Sequence, residues 1–286
     1  MQKNRWNDMI LPPAPDDDYA WELFHENSKT EKHRQFMTDE AIAARMAYMS
    51  ESLNYEGFPI IDLPEALKNF DKTLAETIIS RVTPAKLEPQ PVTLEQVSTL
   101  LYAGYGVTRT NKNTSFLRPF RTVPSGGGLY PLEIYFTSKH IAETPSGLFH
   151  YNPMKHHLRL LQEGDLSPRI AEALVPFQSH LAFDVSLMVI ITGHFGRSTF
   201  KYGARGYRFV FLEAGHMAQN INLAATALNL GCLNVGGFFD HDMDDFLNID
   251  GLNQSTIYMI AIGKKAAIHQ EPSPFYGEKT SSNGKA

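Results

Sequence analysis

The sequence has almost no cysteine. Its single cysteine in 286 residues, Cys232, excludes a disulfide within the chain and any zinc or iron–sulfur site built from several cysteines. An isolated cysteine is more often a small buried apolar side chain than a nucleophile, and Cys232 is interpreted in that way. A chain with so little cysteine is typical of a reducing compartment, so a cytoplasmic location is expected.

A surplus of positive charge is also absent. The 26 Lys and Arg residues are outnumbered by 31 Asp and Glu residues, which gives a formal net charge of -5. A chain without surplus cations has no general means of neutralising a phosphate backbone. Binding to nucleic acid is therefore not expected.

Long hydrophobic runs are missing too. The most apolar segments, residues 187–192 and 257–262, are far shorter than the ~20 residues that cross a bilayer. The first residues carry no sustained apolar stretch of the kind found in a secretory signal. With 43% hydrophobic residues, the sequence predicts a soluble globular protein with a substantial core and no membrane partner.

The composition changes along the chain. Residues 1–75 combine a stretch rich in proline and aspartate with polar helical patterns, and we predict an N-terminal extension of helix and loop there. Residues 76–268 are predicted to form the main domain. Residues 269–286 are predicted to be a partly disordered tail, because their end is rich in Lys, Ser and Gly.

Two helices can be predicted in the main domain. Thr93 and Gln96 have the spacing of a capping box, and apolar residues then repeat at helical spacing until Gly104 or Gly106. Residues 204–230 contain no proline and are long enough for a central helix.

Strand patterns surround these helices. Residues 132–137 alternate like a half-exposed strand, whereas 185–191 and 257–262 are continuous apolar runs, which suit strands buried on both faces. Strands mixed with helices on both sides predict an α+β sandwich.

The first segment that suggests chemistry is residues 121–131, the glycine loop, in which three glycines lie between Pro124 and Pro131. Glycine tolerates positive φ, so such a loop lets backbone N–H groups approach a planar or anionic ligand. A tight turn into the next strand explains the pattern equally well. The spacing fits neither the dinucleotide fingerprint nor the P-loop, and Ser125 lacks the flanking glycines of a nucleophile elbow. Classical NAD binding and serine hydrolysis are therefore not expected.

A second segment, residues 200–208, places Lys201 and Tyr202 beside Arg205 and Arg208 at the start of the long helix. Neighbouring cations disfavour the protonated form of a lysine, and an adjacent tyrosine can share the proton. The pair is a candidate base, and a solvated helix start that merely carries charge is the alternative.

Weaker signals lie elsewhere. Arg81 and Thr83 offer phosphate donors, and the pair Gly236-Gly237 offers open backbone. Residues 22–25 and 213–216 both have the Glu-x-x-His form of di-iron bundles, but such bundles need four long helices, so no metal is expected. The polar stripe of Glu213, His216 and Asn220 is interpreted as a buried hydrogen-bonded network or a subunit contact.

Taken together, and in their order along the chain, these segments resemble the SagB/ThcOx-type dehydrogenases, a branch of the FMN-dependent nitroreductase-like superfamily. The resemblance runs from Ser80 to Lys265. It is carried by Arg81-x-Thr83, Pro91-Val92-Thr93-Leu94-Glu95, the glycine loop, and Lys201-Tyr202-x-x-Arg205-Gly206-Tyr207-Arg208 continuing through Glu213, Gly215, Gln219 and Asn220.

The resemblance implies a nitroreductase-like α/β sandwich with a central mixed, mainly antiparallel sheet, and a homodimer that holds FMN between its two chains. Arg81 and Thr83 are then expected to hold the FMN phosphate, with Lys264 as a second donor. Gly236 and Gly237 are expected near the ring or the ribityl chain. The expected contacts in the glycine loop are Arg121, Pro124, Ser125, Gly126, Gly127 and Gly128.

One departure affects the phosphate site. The family usually has a second Arg a few residues after the first, and here Ala85 stands there with Lys86 beside it. Lysine cannot form the bidentate fork of arginine, so a different arrangement of phosphate donors is expected.

The implied reaction is the oxidation of thiazoline or oxazoline rings to thiazole or oxazole in a peptide precursor. Hydride passes to flavin N5 while Lys201 and Tyr202 assist proton removal. The implied partners are the azoline-bearing peptide and a cyclodehydratase. Two alternatives remain: an NAD(P)H-dependent reductase of a small acceptor, and a catalytically inactive flavin-fold partner in a biosynthetic complex.

Overall fold

The computed structural model describes residues 20–33, 35, 37–67, 70–110 and 119–266. The helices are α1 Ala20–Asn27, α2 Asp39–Ala47, α3 Leu74–Ser80, α4 Leu94–Tyr105, α5 Ser167–Ala173, α6 Leu181–Asp184, α7 Gly196–Tyr202, α8 Ala204–Ala227 and α9 Asp240–Leu247. The strands are β1 Ile60–Asp62, β2 Leu87–Glu88, β3 Val107–Thr110, β4 Pro119–Arg121, β5 Leu132–Ser138, β6 Gly147–Asn152, β7 His157–Glu163, β8 Leu187–His194, β9 Gly231–Val235 and β10 Gln254–Lys265.

The strands form a central sheet in the order β1-β7-β6-β5-β8-β10-β2, and β9 also pairs with β10. Every pair of strands in this sheet is antiparallel. Within the described ranges, the parallel component is a single bridge between Val92 and Ile141. The predicted α+β class with a mainly antiparallel sheet is confirmed. Strands β3 and β4 form a separate pair.

Both faces of the sheet are covered. On one face Val189 and Ile191 of β8 pack in a cluster with side chains of α4 and α8. On the other face Met188 and Ile190 pack with side chains of α5 and α9. Burying each of these side chains contributes about 1.5–3 kcal/mol. The prediction that the apolar runs are strands buried on both faces is confirmed.

The prediction for β5 was wrong in one respect, because this strand is not half-exposed. Every residue of β5 is buried except Thr137. Glu133 and Tyr135 face the second layer, where they find hydrogen-bonding partners. An alternation of polar and apolar residues cannot distinguish a solvent-facing side from a side with buried polar partners.

Helix α4 follows its predicted bounds. The Thr93 hydroxyl accepts the Gln96 N–H at 3.2 Å, the Gln96 side chain accepts the Thr93 N–H at 3.0 Å, and the helix ends before Gly106. A Cβ on Gly104 would lie 2.8 Å from the Ile221 side chain, so this glycine lets α4 pack closely on α8.

The N-terminal region contains a strand that the helix-and-loop prediction did not include. Residues 60–62 form β1, which pairs with β7 at the edge of the central sheet. The division of the chain at residue 75 stays a prediction. Residues 1–19 and the predicted tail 269–286 lie outside the described residues. Within the described ranges, none of the helices combines the length and the apolar character needed to cross a membrane.

Candidate active site

The sharp corner between α7 and α8 positions the candidate base. Gly203 connects the helices with φ 57° and ψ -144°, a conformation that other residues rarely adopt. A Cβ on Gly206 would lie 2.7 Å from the Ser198 carbonyl oxygen, so the two helices approach closely there. Lys201 and Tyr202 end α7 at this corner, and both are half-buried.

The glycine loop forms a tight turn before β5. Gly127 and Gly128 both have positive φ, at 69° and 64°. The Ser125 carbonyl accepts the Gly128 N–H at 3.0 Å, and the Ser125 hydroxyl accepts the Tyr130 N–H at 2.9 Å. The structure therefore confirms the turn into the strand, and the contact of this loop with a ligand stays a prediction.

The glycine loop and the Lys–Tyr pair meet at Gly127. A Cβ built on Gly127 would lie 2.7 Å from the Tyr202 hydroxyl and 3.0 Å from Lys201 Nζ. The Lys201 Nζ also lies 5.3 Å from the centre of the Tyr202 ring, and the Phe209 ring packs edge-on against Tyr202. The two polar groups therefore converge on one point above the loop.

A buried carboxyl group lies behind the loop. Glu213 of α8 is 2% exposed, and its Oε1 accepts the Tyr105 hydroxyl at 2.6 Å. Burial raises the pKa of Glu213 to about 7, although hydrogen bonds from Ser125 and Tyr105 and the charge of Arg121 act to lower it. This placement confirms Glu213 as a buried, hydrogen-bonded residue, whereas His216 of the same predicted stripe is exposed.

Arg121 is buried beneath the loop, where 3% of its surface is exposed. Its guanidinium group stacks on the rings of Tyr105 and Tyr130 at 4.2 and 4.9 Å, and it donates to the Glu51 carbonyl. The structure thus gives Arg121 a bracing role. Its contact with a cofactor stays a prediction.

The two arginines that follow Lys201 donate hydrogen bonds to the end of helix α1. Arg208 donates to the Ser28 hydroxyl at 2.8 Å and to the His25 carbonyl, and Arg205 donates to the Ser28 carbonyl at 3.5 Å. These contacts fasten the end of α1 to α8. The sequence cluster had suggested instead that both arginines act on Lys201.

A buried ion pair that the sequence analysis missed anchors α7. Arg197 Nη1 lies 2.6 Å from Glu133 Oε1, and Glu133 Oε2 lies 2.8 Å from His150 Nε2. Burial raises the pKa of Glu133, but the Arg197 charge and the His150 hydrogen bond outweigh it and hold the pKa at about 2. Arg197 lies four residues, or about one helical turn, before Lys201. No sequence pattern indicated this pair, because its two members lie far apart along the chain.

The predicted phosphate donors Arg81, Thr83 and Lys264 lie away from the Lys201–Tyr202 pair. Arg81 follows α3, close enough to Cys232 for its charge to act against the burial that raises the pKa of that thiol to about 12. Thr83 is exposed, and Lys264 of β10 lies 3.8 Å from Glu88 of β2. The burial of Cys232 agrees with its interpretation as a core side chain.

The two glycines after β9 differ from each other. A Cβ on Gly237 would lie 2.7 Å from the Gln178 side-chain oxygen and 2.9 Å from Val175 Cγ2, so these side chains pack closely against this glycine. A Cβ on Gly236 would meet nothing within 4 Å. Gly236 is therefore the open backbone position of the pair.

The site residues form two groups at opposite ends of the chain's sheet. The glycine loop and Lys201 lie where β8 ends and β5 begins, because Gly193 pairs with Leu132. Lys264 lies beyond the other end of β8, since Leu187 pairs with Ile262. Helix α8 runs between the two ends, and its 24 residues span about 36 Å. A single chain therefore does not bring Arg81, Thr83 and Lys264 to Lys201 and Tyr202.

The residues present fit FMN in two respects. Arg81, Thr83 and Lys264 provide cationic and hydroxyl donors for a phosphate. Gly128, where an added Cβ would lie 3.9 Å from its nearest neighbour, and Gly236, where it would meet nothing within 4 Å, provide open backbone for a flat ring. Among the described residues, no three His, Cys, Asp or Glu side chains cluster in a way that could bind a metal ion.

Comparison with known proteins gives a family match. Residues 78–264 match the model of the nitroreductase family. The "Putative nitroreductase MJ1384" of Methanocaldococcus jannaschii is 33% identical over 192 residues, which are 67% of this chain and 91% of that protein.

Two further relatives carry names that describe processing. The trifolitoxin-processing protein TfxB of Rhizobium leguminosarum is 26% identical over 63% of this chain, and the microcin B17-processing protein McbC of Escherichia coli is 30% identical over 46% of it. The aligned regions are 50% and 49% of these two relatives, so the similarity spans about half of their length.

Solved structures share the fold. A "putative nitroreductase" from Anabaena variabilis matches with a TM-score of 0.67 and 25% identity, over 88% of this chain and 48% of that one. A chain of the Escherichia coli microcin synthetase McbBCD complex with truncated pro-MccB17 matches with a TM-score of 0.56 and 20% identity, over 87% of this chain and 92% of that one.

Proposed function

Because the chain belongs to the nitroreductase family, with residues 78–264 matching that family, we propose that it is an FMN-dependent dehydrogenase. Its proposed reaction is the oxidation of thiazoline or oxazoline rings to thiazole or oxazole in a peptide. The observation that carries this proposal is the convergence of Lys201 Nζ and the Tyr202 hydroxyl on one point above Gly127.

The cofactor would be held by both groups of site residues. Arg81, Thr83 and Lys264 would bind the phosphate, and the backbone of Gly128 and Gly236 would approach the ring. When bound, FMN supplies a hydride acceptor at N5.

Lys201 and Tyr202 would move the proton. Oxidation of an azoline removes a hydride from one ring carbon and a proton from its neighbour. Lys201 Nζ would accept that proton, and the Tyr202 hydroxyl, directed at the same point, would share it. Anchoring of α7 by Arg197 holds both groups in place without occupying them.

The complete site would need a second copy of the chain. The two groups of residues lie at opposite ends of α8, so Lys201 of one chain would act on a flavin whose phosphate is held by Arg81 of the other. Helix α3, which leads to Arg81, exposes Leu74, Ile78 and Ile79 by 67%, 55% and 54%. Exposed apolar side chains in this number favour a covering partner, and a homodimer would bring the two groups together.

The named relatives support a peptide substrate. TfxB and McbC are named for processing trifolitoxin and microcin B17. This chain also shares its fold with a chain of the McbBCD microcin synthetase complex. By analogy, the substrate would be a peptide precursor in which a cyclodehydratase has formed the azoline, and that enzyme would be the complex partner.

A second candidate is a nitroreductase-like enzyme that takes electrons from NAD(P)H and reduces a small acceptor. The similarity to MJ1384, which covers 91% of that protein, favours it. The Lys201–Tyr202 pair would be unnecessary for such a reaction, so substitution of the pair distinguishes the two candidates.

The test begins with the purified protein. Near-stoichiometric FMN, released and identified, is expected, followed by loss of two hydrogens from an azoline-bearing peptide. Lys201→Ala and Tyr202→Phe should retain flavin and lose this activity, while the exposed Lys155→Ala serves as the matched control. NAD(P)H-driven reduction that survives Lys201→Ala, without azoline oxidation by the wild type, would establish the reductase instead. A protein that cannot be loaded with FMN would leave a catalytically inactive binding partner.

A further inference from the structure

We infer that residues 49–55, the strap, position the site by holding the glycine loop and helix α7 in one fixed arrangement, with Ser52 as the positioning residue. The strap lies outside residues 78–264, the part of the chain that matches the family. The catalytic meaning of this inference rests on the proposed function, which assigns Lys201 and Tyr202 at the end of α7 to proton removal. The attachment of the strap can be tested without flavin or substrate.

The strap is bonded to both ends of the glycine loop. At the start of the loop, the Arg121 guanidinium group donates to the Glu51 carbonyl. Just beyond the end of the loop, the carboxylate of Glu133 in β5 accepts the Ser52 hydroxyl at 3.1 Å and the Leu53 N–H at 3.1 Å. Three consecutive residues of the strap therefore span the loop from its first residue to the strand that follows it.

The strap also packs directly against the loop. Between them lies a cavity of about 10 Å³, which has room for about one water molecule. The residues that line it are Met49, Ser50 and Glu51 of the strap, Pro119, and Arg121, Gly128, Leu129 and Tyr130 of the loop. Because so little space separates the two segments, a displacement of the strap moves the loop.

Glu133 joins the strap to α7, because both contact the same carboxylate. Arg197 Nη1 of α7 lies 2.6 Å from Oε1, and His150 Nε2 of β6 lies 2.8 Å from Oε2. The Leu53 N–H and the Ser52 hydroxyl add a second partner to each oxygen. Hydrogen bonds to an ionised acceptor are about twice as strong as neutral ones, so these partners fix the direction of the Glu133 side chain. The position of Arg197, and hence of α7, depends on that direction.

The strap is held to the sheet by side chains as well. The Tyr55 hydroxyl lies 2.7 Å from the Tyr135 hydroxyl of β5, and the Tyr55 ring lies against the His150 ring with centroids 4.8 Å apart. Ser52 is 5% exposed, and the Asn152 side chain donates to the Leu53 carbonyl at 3.5 Å. The strap is therefore a fixed support for the loop and for α7.

The contact that the strap maintains is the one at Gly127. Arg197 lies about one helical turn before Lys201, so movement of Arg197 is passed along α7 to the end of the helix. There the Tyr202 hydroxyl and Lys201 Nζ lie against Gly127 of the loop. Loosening of the strap is therefore expected to change the separation between Gly127 and the Lys201–Tyr202 pair.

The test is amide hydrogen exchange of the full chain, in which residues 121–131 and 196–202 are compared with β10 in the same sample. Ser52→Ala deletes the hydroxyl that donates to Glu133. Relative to β10, protection of the loop and of α7 should fall about tenfold, which is the effect of losing a hydrogen bond to a charged group.

Ser138→Ala is the matched control. Ser138 lies at the other end of β5, is buried like Ser52, and donates its hydroxyl to the Ser186 carbonyl at 2.8 Å. Its substitution should leave the protection of the loop and of α7 unchanged relative to β10.

A kinetic comparison links the strap to the proposed reaction. With the azoline peptide, Ser52→Ala should lower kcat about tenfold and change KM less than twofold, because it displaces the groups that act in the transition state. Ser138→Ala should change neither constant.

Two results would overturn the inference. An equal loss of protection in the loop, α7 and β10 would show that Ser52 only stabilises the fold, and unchanged protection of α7 would show that the strap is not coupled to it. If Ser52→Ala does not fold, Tyr55→Phe decides, because it keeps the ring and removes the hydroxyl contact with Tyr135. It should lower the same protections selectively, and unchanged protection would again overturn the inference. Absence of flavin or of azoline oxidation would refute the proposed function and leave the exchange results standing.

Discussion

Gly127 is the residue at which the loop and the candidate base meet. Its φ of 69° disfavours any other residue, and a Cβ there would press on the Tyr202 hydroxyl and Lys201 Nζ. Gly127→Ala is therefore expected to reduce the proposed azoline oxidation at least tenfold, because displacement of reacting groups by about 1 Å has effects of that order or larger. The measurement is kcat with the azoline peptide.

Gly57→Ala is the matched control for this substitution. Gly57 has a φ of 89°, and a Cβ there would meet nothing within 4 Å. It carries the same kind of backbone strain without a contact in the site. Equal losses of activity in the two variants would show that strain, rather than contact with the Lys–Tyr pair, explains the effect.

Glu213 is expected to make stability depend on pH. Burial raises its pKa from 4.5 to about 7, so the favourable contribution of the neutral carboxyl is fully present below about pH 4.5 and is lost as the pH rises through about 7. Glu213→Gln stays neutral. The wild type should therefore lose about 3 kcal/mol relative to the variant across this window.

Thermal or denaturant unfolding of both proteins at several pH values checks this expectation. The Tm of Glu213→Gln minus that of the wild type should increase as the pH rises. A difference in Tm that is the same at acidic and at alkaline pH would contradict the titration of Glu213.

At the scale of elements, helix α7 depends on the buried pair of Arg197 and Glu133. Their side chains are 5% and 1% exposed. Removing Arg197 takes the guanidinium cation away from the buried Glu133 carboxylate, so Arg197→Ala should lower the free energy of unfolding by about 3–5 kcal/mol. The exposed pair of Lys139 and Asp165, at 2.9 Å, offers the control, because Lys139→Ala should cost less than about 1 kcal/mol.

Urea unfolding of the two variants and the wild type measures this difference. Arg197→Ala should also lose azoline oxidation, since it releases the helix that ends in Lys201 and Tyr202. Similar unfolding midpoints for Arg197→Ala and Lys139→Ala would show that the buried pair does not anchor α7.

Local signals allowed several elements to be predicted from sequence. The capping box of Thr93 and the apolar runs of β8 and β10 identify their elements because the signal lies within a few neighbouring residues. The polar face of β5 was misjudged because its partners, such as Arg197, lie far away in sequence.

The same reason explains what was missed around the site. The sequence cluster predicted the Lys201–Tyr202 pair, and the glycine spacing predicted the loop, but neither indicated that they meet at Gly127. The docking of α1 on Arg208 and the stacking of Arg121 between two tyrosines are tertiary contacts without a sequence motif.

For the whole molecule, the separation of the two groups of site residues is decisive. Arg81 and Lys264 lie at one end of α8, and Lys201 lies at the other. A functional site built from these residues therefore requires two chains. We predict that an Arg81→Ala chain and a Lys201→Ala chain complement each other in one dimer.

The most direct measurement mixes Arg81→Ala and Lys201→Ala chains and assays azoline oxidation. In a mixed dimer one site contains both substitutions and the other contains neither, so random exchange should restore about a quarter of the wild-type activity. Differently tagged chains verify that mixed dimers form, and each variant alone should be inactive. Mixed dimers that form and remain inactive would contradict the two-chain site, and with it the proposed role of Lys201 beside a flavin held by Arg81.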